Sequence, residues 1–212
     1  MEVEKKKLRN LVESRLSEKM LPRGAYLSHL EEVFATSLIF SKASALVAFI
    51  PYRMEPGILP IMEKWLTAGK ELWLPCYERD LRAYGLAKVG GLDSAWLESG
   101  RWGILEPRAD LPRVNPPYLF NDEDIWFIPG VAFSENGVRL GRGAGYYDRM
   151  LHGSRGIRIG ITYEAAVLPD IPSAEHDEPV DYLLTETRFL KCVRADSSAK
   201  KKQEGQVYVA DY

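Results

Sequence analysis

One glycine-rich stretch of the chain carries the residues best suited to binding an anion. Between Gly137 and Arg149 the sequence reads Gly-Val-Arg-Leu-Gly-Arg-Gly-Ala-Gly-Tyr-Tyr-Asp-Arg. The glycines of 141–145 lack a Cβ, so the backbone can take positive φ and bring consecutive N–H groups close to a bound group. Three arginines add forked guanidinium groups that match phosphate or carboxylate oxygens. The stretch therefore predicts a phosphate site.

Asp148 lies near the end of this stretch and offers a hard oxygen ligand for Mg²⁺. Residues 146–151 contain no glycine or proline and predict a helix whose positive N-terminal end faces the anion. A mobile surface turn stays an alternative, because runs rich in glycine are also typical of turns. The stretch lacks the Gly-Lys-Ser/Thr ending of a Walker A loop, and Tyr146 stands where a dinucleotide fingerprint requires a glycine.

Length and composition limit the class of protein. The 212 residues suit one domain, or one domain with a tail, and 46% hydrophobic with 27% charged residues is typical of a globular chain. A net charge of -2 argues against a generic nucleic-acid binder, so we expect no nucleic-acid partner. No apolar run approaches the roughly 18 residues that a spanning helix needs. We therefore expect a cytoplasmic protein with no membrane partner.

Strand and helix signals alternate along most of the chain. An amphipathic helix is expected around residues 8–16, and a second helix over 27–40. A strand over 45–50, helical spacing over 58–66 and a strand over 71–74 predict a βαβ unit. Further strands are expected over 83–88, 125–128, 158–161 and 182–185.

These elements must position the candidate site. We predict an α/β fold, a three-layer αβα domain with a mostly parallel sheet, over residues 1–192, followed by a polar tail over 193–212. Ligands of such sheets gather outside the carboxyl ends of the strands, where Ile50 and Glu55 follow the first strand. The alternative for Glu55 is a solvated loop carboxylate or a helix N-terminal charge.

A longer string around the glycine-rich stretch matches a family signature. Residues 124–133 read Asp-Ile-Trp-Phe-Ile-Pro-Gly-Val-Ala-Phe and are followed by Gly137 and by Arg-Leu-Gly-Arg-Gly-Ala-Gly-Tyr-Tyr-Asp at 139–148. This string resembles the signature of the 5-formyltetrahydrofolate cyclo-ligase family, also called 5,10-methenyltetrahydrofolate synthetases. The chain departs from it at Ala144, where the family usually has Gly or Lys, and at Ser134, where it has Asp.

The resemblance covers about residues 5–186 and implies an activity. An ATP- and Mg²⁺-dependent ligase would close 5-formyltetrahydrofolate to 5,10-methenyltetrahydrofolate and release ADP and phosphate. The formyl oxygen would attack the γ-phosphate, giving an imidate phosphate that the 10-nitrogen attacks. The implied partners are the folate and ATP, with Mg²⁺ as the cofactor. The oligomeric state stays open, and we expect a monomer.

The resemblance also implies roles for individual residues. The implied ATP contacts are Lys5, Arg9, Arg139, Leu140, Gly141, Arg142, Gly143, Ala144, Gly145, Tyr146 and Tyr147. The implied folate contacts are Ile50, Glu55, Trp102, Arg142, Gly143, Gly145 and Tyr146. The implied catalytic residues are Arg142, Tyr146 and Asp148, and the implied metal ligands are Asp148 and Asp177. Trp102 could stack on a flat ring, or serve as a lid or core residue.

The surroundings of Glu55 leave the choice of substrate open. Met54 precedes it where the family usually has an acid, and Pro56-Gly57 follows where a threonine is usual. An ATP-using enzyme acting on another substrate is therefore one alternative. A non-catalytic relative that binds folate, nucleotide or RNA is another, although the intact Arg-Gly-Ala-Gly-Tyr-Tyr-Asp string argues against it.

Overall fold

The computed structural model describes residues 1–18, 23–78, 80–116, 118 and 120–193. The helices among them are α1 (Glu2–Glu18), α2 (Arg23–Thr36), α3 (Leu38–Lys42), α4 (Leu59–Thr67) and α5 (Tyr146–Leu151). The strands are β1 (Ala45–Val47), β2 (Glu71–Glu78), β3 (Ala83–Val89), β4 (Leu97–Ser99), β5 (Leu105–Pro107), β6 (Arg113–Val114), β7 (Ile125–Pro129), β8 (Ala132–Ser134), β9 (Arg139–Leu140), β10 (Ile157–Ile161), β11 (Val167–Leu168), β12 (Tyr182–Leu184) and β13 (Phe189–Lys191). From residue 194 onward, the predicted tail lies outside the described residues.

Eight of the strands form one mixed sheet in the order β13-β12-β10-β7-β1-β2-β3-β6. The five central strands, from β12 to β2, run parallel, and antiparallel pairs complete both edges. Strands β1 and β2 are adjacent and parallel, and α4 connects them, so the predicted βαβ unit is confirmed. The expected α/β fold with a mostly parallel sheet is confirmed as well.

Side chains of the central strands divide the core into two parts. Ile125 and Phe127 of β7 face one cluster, whereas Trp126 and Ile128 face the other, because successive side chains of a strand point to opposite faces. Helices α1 to α4 cover the first cluster with Val12, Leu30, Phe40 and Trp65. Helix α5 covers the second with Met150 and Leu151, beside Tyr118 and Phe120. The sheet is thus the middle of three layers.

Some element boundaries differ from the predicted ones. The helix expected over 27–40 is interrupted at Ser37, whose side chain accepts a hydrogen bond from the Ile39 N–H at 3.3 Å and starts α3. Strand β1 ends at Val47, whereas β2 continues past Pro75 to Glu78. Pro75 lies beyond the last residue paired with β1, which is where a strand tolerates a proline.

Within the described residues, no helix is long and apolar enough to cross a bilayer.

Candidate active site

A cleft of about 1060 Å³ opens at the carboxyl ends of β1 and β7. Its walls include Ile50 after β1, Pro129 and Gly130 at the end of β7, and the glycine-rich loop 141–145. The location agrees with the expectation that ligands bind outside the carboxyl ends of parallel strands. Its volume lies at the upper end of the range for small-molecule pockets, about 300–1000 Å³. The cleft therefore has a size that suits small-molecule binding.

The β8–β9 hairpin delivers the glycine-rich loop to the cleft. Gly137 turns the hairpin with φ of 88°, and its carbonyl accepts a hydrogen bond from the Val180 N–H at 2.9 Å. A Cβ at position 137 would lie 2.4 Å from the Val180 carbonyl oxygen. Glycine is therefore required here for close approach as well as for its backbone angle. The contact ties the hairpin to the segment 170–181, which carries Asp177.

The glycines of the loop have two different tasks. Gly143 and Gly145 take positive φ, 96° and 65°, as the sequence predicted, and Gly145 precedes the first residue of α5. Gly141 is instead a point of close approach, because a Cβ there would lie 2.7 Å from Nη1 of Arg139. The predicted helix over 146–151 is confirmed as α5.

Arg139 faces Asp148 from inside the protein. It is only 8% exposed, and its Nη2 donates to Oδ1 of Asp148 at 2.6 Å. Its guanidinium lies over the Tyr147 ring, 5.6 Å from the centroid, and burial raises the pKa of Tyr147 well above its usual value. Among the described residues, the buried Nε of Arg139 has no hydrogen-bond partner. This guanidinium holds Asp148 through Nη2 and also lines the cleft, so the ATP contact that the sequence suggested for Arg139 stays a prediction.

Helix α1 closes the cleft with two basic side chains. Lys5, which is 9% exposed, contacts Oδ2 of Asp177 through Nζ at 2.6 Å. Arg9 donates from Nε to the carbonyl oxygen of Gly141 at 2.9 Å and pairs with Glu2 at 2.7 Å. The helix therefore bridges the glycine-rich loop and the loop of Asp177, which are far apart in sequence.

The two acids proposed as metal ligands are linked through one peptide group. Glu178, which follows Asp177, donates its backbone N–H to Oδ1 of Asp148 at 3.5 Å. Burial raises the pKa of Asp177, but the hydrogen bonds from Lys5 and the Ala174 N–H outweigh it, so the pKa lies below its usual value. Asp177 is therefore an ionised, acceptor-only group at neutral pH.

The carboxylate oxygens of Asp148 and Asp177 suit a hard cation. The hydrogen bonds to Asp148 fall on Oδ1 and those to Asp177 on Oδ2, which leaves the second oxygen of each carboxylate to serve as a ligand. Mg²⁺ is usually held by one or two carboxylates together with substrate phosphates and water. No cluster of three or more His, Cys, Asp or Glu residues that could hold a metal occurs in the described ranges. The acids thus fit an ion that arrives with a phosphate.

Glu55 is a mostly buried carboxylate that also lines the cleft. Its side chain is 12% exposed; Oε2 accepts from the Tyr52 N–H at 2.9 Å, and Oε1 lies 3.4 Å from Nη2 of Arg142. Burial raises the pKa of Glu55, and the Tyr52 amide and Arg142 offset this only in part. Arg53, which lies between Tyr52 and Glu55 in the sequence, has φ of 57°, which is uncommon for a residue with a side chain. The alternative of a solvated loop carboxylate for Glu55 is wrong.

Tyr146 belongs to an aromatic group at the rim of the cleft. Its ring meets those of Tyr84 and Tyr77 edge to face at 4.9 and 6.2 Å, and its hydroxyl accepts from Arg101 at 3.2 Å. Sequence reasoning missed Tyr84 and Tyr52, which also line the cleft, and left Arg101 without a role. Tyr52 follows β1 just as Glu55 does, so the same rule about strand ends would have found it.

Two of the predicted ligand contacts, those of Leu140 and Trp102, differ from the others in what the structure shows of their side chains. Leu140 is 1% exposed and packs in the first core cluster, so its side chain does not reach a ligand. Trp102 lies in a 3-10 turn, Arg101–Gly103, but its side chain is outside what the structure describes. The other predicted site residues, including Ala144 and Tyr147, line the same cleft.

The fold and the cleft define an α/β protein in which arginines, glycines and two acids line one cavity at the carboxyl ends of parallel strands. The model of the 5-formyltetrahydrofolate cyclo-ligase family matches residues 2–186. The chain belongs to this family and is a cyclo-ligase enzyme of folate metabolism. The family implies an ATP-using ligase with a folate substrate.

Known relatives and solved structures agree with the family. The 5-formyltetrahydrofolate cyclo-ligase of Mycolicibacterium smegmatis is 29% identical over 69% of this chain and 76% of its own length. The mouse enzyme is 25% identical over 86% of this chain and 89% of its own length. The structure of Aquifex aeolicus 5,10-methenyltetrahydrofolate synthetase, 31% identical, superposes with a TM-score of 0.72 over 91% of this chain and 95% of that one.

Proposed function

We propose that the cleft is the active site and that it closes 5-formyltetrahydrofolate to 5,10-methenyltetrahydrofolate with MgATP, releasing ADP and phosphate. The observation that supports this best is that residues suited to binding MgATP come together in one cavity. Lys5 and Arg9 of α1, the glycine-rich loop and the acids Asp148 and Asp177 come from distant parts of the sequence and line one cavity. A triphosphate needs such a set of cations, backbone donors and metal ligands.

The reaction needs an activated oxygen, because a formyl amide oxygen is a poor leaving group. In the proposed sequence, this oxygen attacks the γ-phosphate and ADP departs. The 10-nitrogen then attacks the resulting imidate carbon and gives up its proton to water or to the departing phosphate, and the C–O bond breaks as phosphate leaves. In phosphoryl transfer the protein contributes mainly alignment and charge neutralisation. No general base is required for these steps.

The phosphates would lie along the glycine-rich loop. Gly143 and Gly145 keep side chains out of their path, while Arg142, Lys5 and Arg9 supply positive charge. Asp148 and Asp177 would hold Mg²⁺, which would supply positive charge to neutralise the phosphates. We assign Arg139 a positioning role, because its short contact with Asp148 fixes that carboxylate.

The folate would occupy the wall formed by Ile50, Glu55 and Tyr146. A carboxylate accepts two parallel hydrogen bonds from the pterin amino group and the adjacent ring N–H. Glu55 is buried enough for these bonds to discriminate, since a ligand that displaced Arg142 without replacing its hydrogen bond would leave Oε1 unpaired. Trp102 stays a candidate stacking residue, and only the backbone position of its turn supports this role.

A direct assay tests the proposal. Purified protein with ATP, Mg²⁺ and 5-formyltetrahydrofolate should produce the near-ultraviolet absorbance of the methenyl product, and omitting ATP should abolish it. Asp148→Asn should lose activity. Asp122→Asn is the matched control, because Asp122 is an exposed acid paired with Arg155 outside the cleft, and it should keep activity. Absence of product across a wide pH and concentration range would refute the proposal.

A further inference from the structure

Arg142 occupies a place between a carboxylate and an aromatic face. Its Nη2 lies 3.4 Å from Oε1 of Glu55, and its Nη1 lies 3.8 Å from Glu13 on α1. Its Cζ is 5.5 Å from the centroid of the Tyr52 ring, within the range of a cation–π contact. The planar, cationic fork is thus held by Glu55 and lies over Tyr52.

This arrangement mimics the recognition edge of a pterin. The amino group, the adjacent ring N–H and the carbon between them form a planar unit with the donor pattern of a guanidinium. Such a unit can donate two parallel N–H groups to a carboxylate while its flat face stacks on an aromatic ring. Glu55 and Tyr52 are fixed relative to each other by the hydrogen bond from the Tyr52 N–H to Oε2 at 2.9 Å. The side chain of Arg142, which makes one of these two carboxylate contacts, therefore lies where the donor edge of a pterin could lie.

Arg142 also belongs to the loop proposed to bind phosphate. It stands between Gly141 and Gly143, the latter with φ of 96°, and its side chain is 42% exposed, so its guanidinium can reorient. A guanidinium held on Glu55 has part of its charge already compensated and is less available to a phosphate. The same group thus serves two neighbouring subsites in turn.

We propose, on the basis of the proposed function, that Tyr52 is a further folate-positioning residue. In the absence of folate, Arg142 occupies the place of the pterin beside Glu55, and the pterin displaces it on binding. Displacement frees the guanidinium for the nucleotide phosphates. Folate binding then strengthens nucleotide binding, and by linkage the nucleotide strengthens folate binding by the same factor.

Calorimetric titration with Mg²⁺ and a non-hydrolysable ATP analogue tests this, with and without saturating 5-formyltetrahydrofolate. In the wild-type protein, the folate should tighten analogue binding about fivefold, at the low end of measured couplings. Glu55→Gln removes the charge that holds Arg142. It should tighten analogue binding without folate to about the wild-type value with folate, and the coupling should disappear. Arg142→Gln should weaken analogue binding and also lose the coupling.

The ring of Tyr52 is tested separately. Tyr52→Leu should weaken folate binding about fivefold, the size expected for a lost aromatic contact, while Tyr52→Phe should restore it. Arg108→Gln is the matched control, because Arg108 is an arginine that pairs with Asp110 outside the cleft, and it should keep the coupling.

The outcomes separate this proposal from the function itself. Turnover and binding of both ligands without any coupling would overturn the displacement role of Arg142 alone. Weaker analogue binding by Glu55→Gln would also overturn it, because a purely structural ion pair predicts that sign. Unchanged folate binding by Tyr52→Leu would remove the positioning role of Tyr52. Failure of the wild-type protein to bind either ligand would overturn both proposals.

Discussion

Replacing Gly141 with alanine should destabilise the protein, because the added methyl group meets the Arg139 guanidinium. The Cβ would lie 2.7 Å from Nη1 and 3.4 Å from Cζ. Arg139 cannot move aside at little cost, since it is buried and contacts Asp148 at 2.6 Å. Overpacking of this kind costs about 1–3 kcal/mol. In a chain of about 200 residues, a loss of 2 kcal/mol lowers Tm by about 4–8 °C.

Calorimetry or circular dichroism on the wild type and Gly141→Ala measures this shift. Gly24→Ala is the matched control, because nothing lies within 4 Å of a Cβ at this position in α2. Alanine there should leave stability unchanged or raise it by up to about 1 kcal/mol.

A double-mutant cycle assigns the clash to its partner. In an Arg139→Ala background, Gly141→Ala should cost little, so that the coupling energy is about the size of the single-mutant penalty. If Gly141→Ala were as stable as the wild type, or equally harmful in both backgrounds, the close approach would not explain the glycine.

Three further predictions concern buried and paired acids. Asp124→Ala should cost about 3 kcal/mol or more, because this 3% exposed carboxylate accepts hydrogen bonds from Ser44, Ala45 and Asn121; a Tm equal to that of the wild type would contradict this. Glu55→Gln should be more stable than the wild type at pH 7, because a raised pKa means that ionised Glu55 opposes folding. Thermal scans should show this gain shrinking as the pH falls toward 4.5, the usual pKa, and a constant gain would refute the cause. The lowered pKa of Asp177 has the opposite sign: its pairing stabilises the protein above the usual pKa of 3.8, and this contribution is lost as the pH falls below it. Lys5→Met should reduce that loss in acid titrations followed by circular dichroism, and an unchanged acid transition would exclude the pair as its source.

Local signals in the sequence predicted much of the fold. The apolar runs of β1, β2 and β7 and the helical spacing of α4 specify their elements by themselves, because burial follows their periodicity. The break at Ser37 was missed although a serine before an apolar run is an N-cap signal. The extension of β2 was missed because it depends on antiparallel pairing with β3, which is not a local property.

The site was predictable in its residue types but not in its pairings. Its glycines and arginines located the glycine-rich loop, the family motif agreed with it, and the strand-end rule located Glu55. The sequence could not show that Arg139 contacts Asp148 or that Lys5 contacts Asp177. The charge of a residue does not identify its partner when the two are 9 or 172 residues apart. It also placed Leu140 in the ATP site, because a motif does not distinguish a side chain that lines a cleft from one that packs behind it.

The contacts of α1 have a consequence for synthesis on the ribosome. Lys5 and Arg9 emerge first, whereas their partners Asp177 and Gly141 follow only after 172 and 132 residues. Strands near the amino terminus can begin to associate while translation continues. The contacts of α1 with the cleft, however, are complete only after Asp177 has left the exit tunnel. A nascent chain interrupted before Asp177 would leave Lys5 without the carboxylate that it contacts in the folded protein.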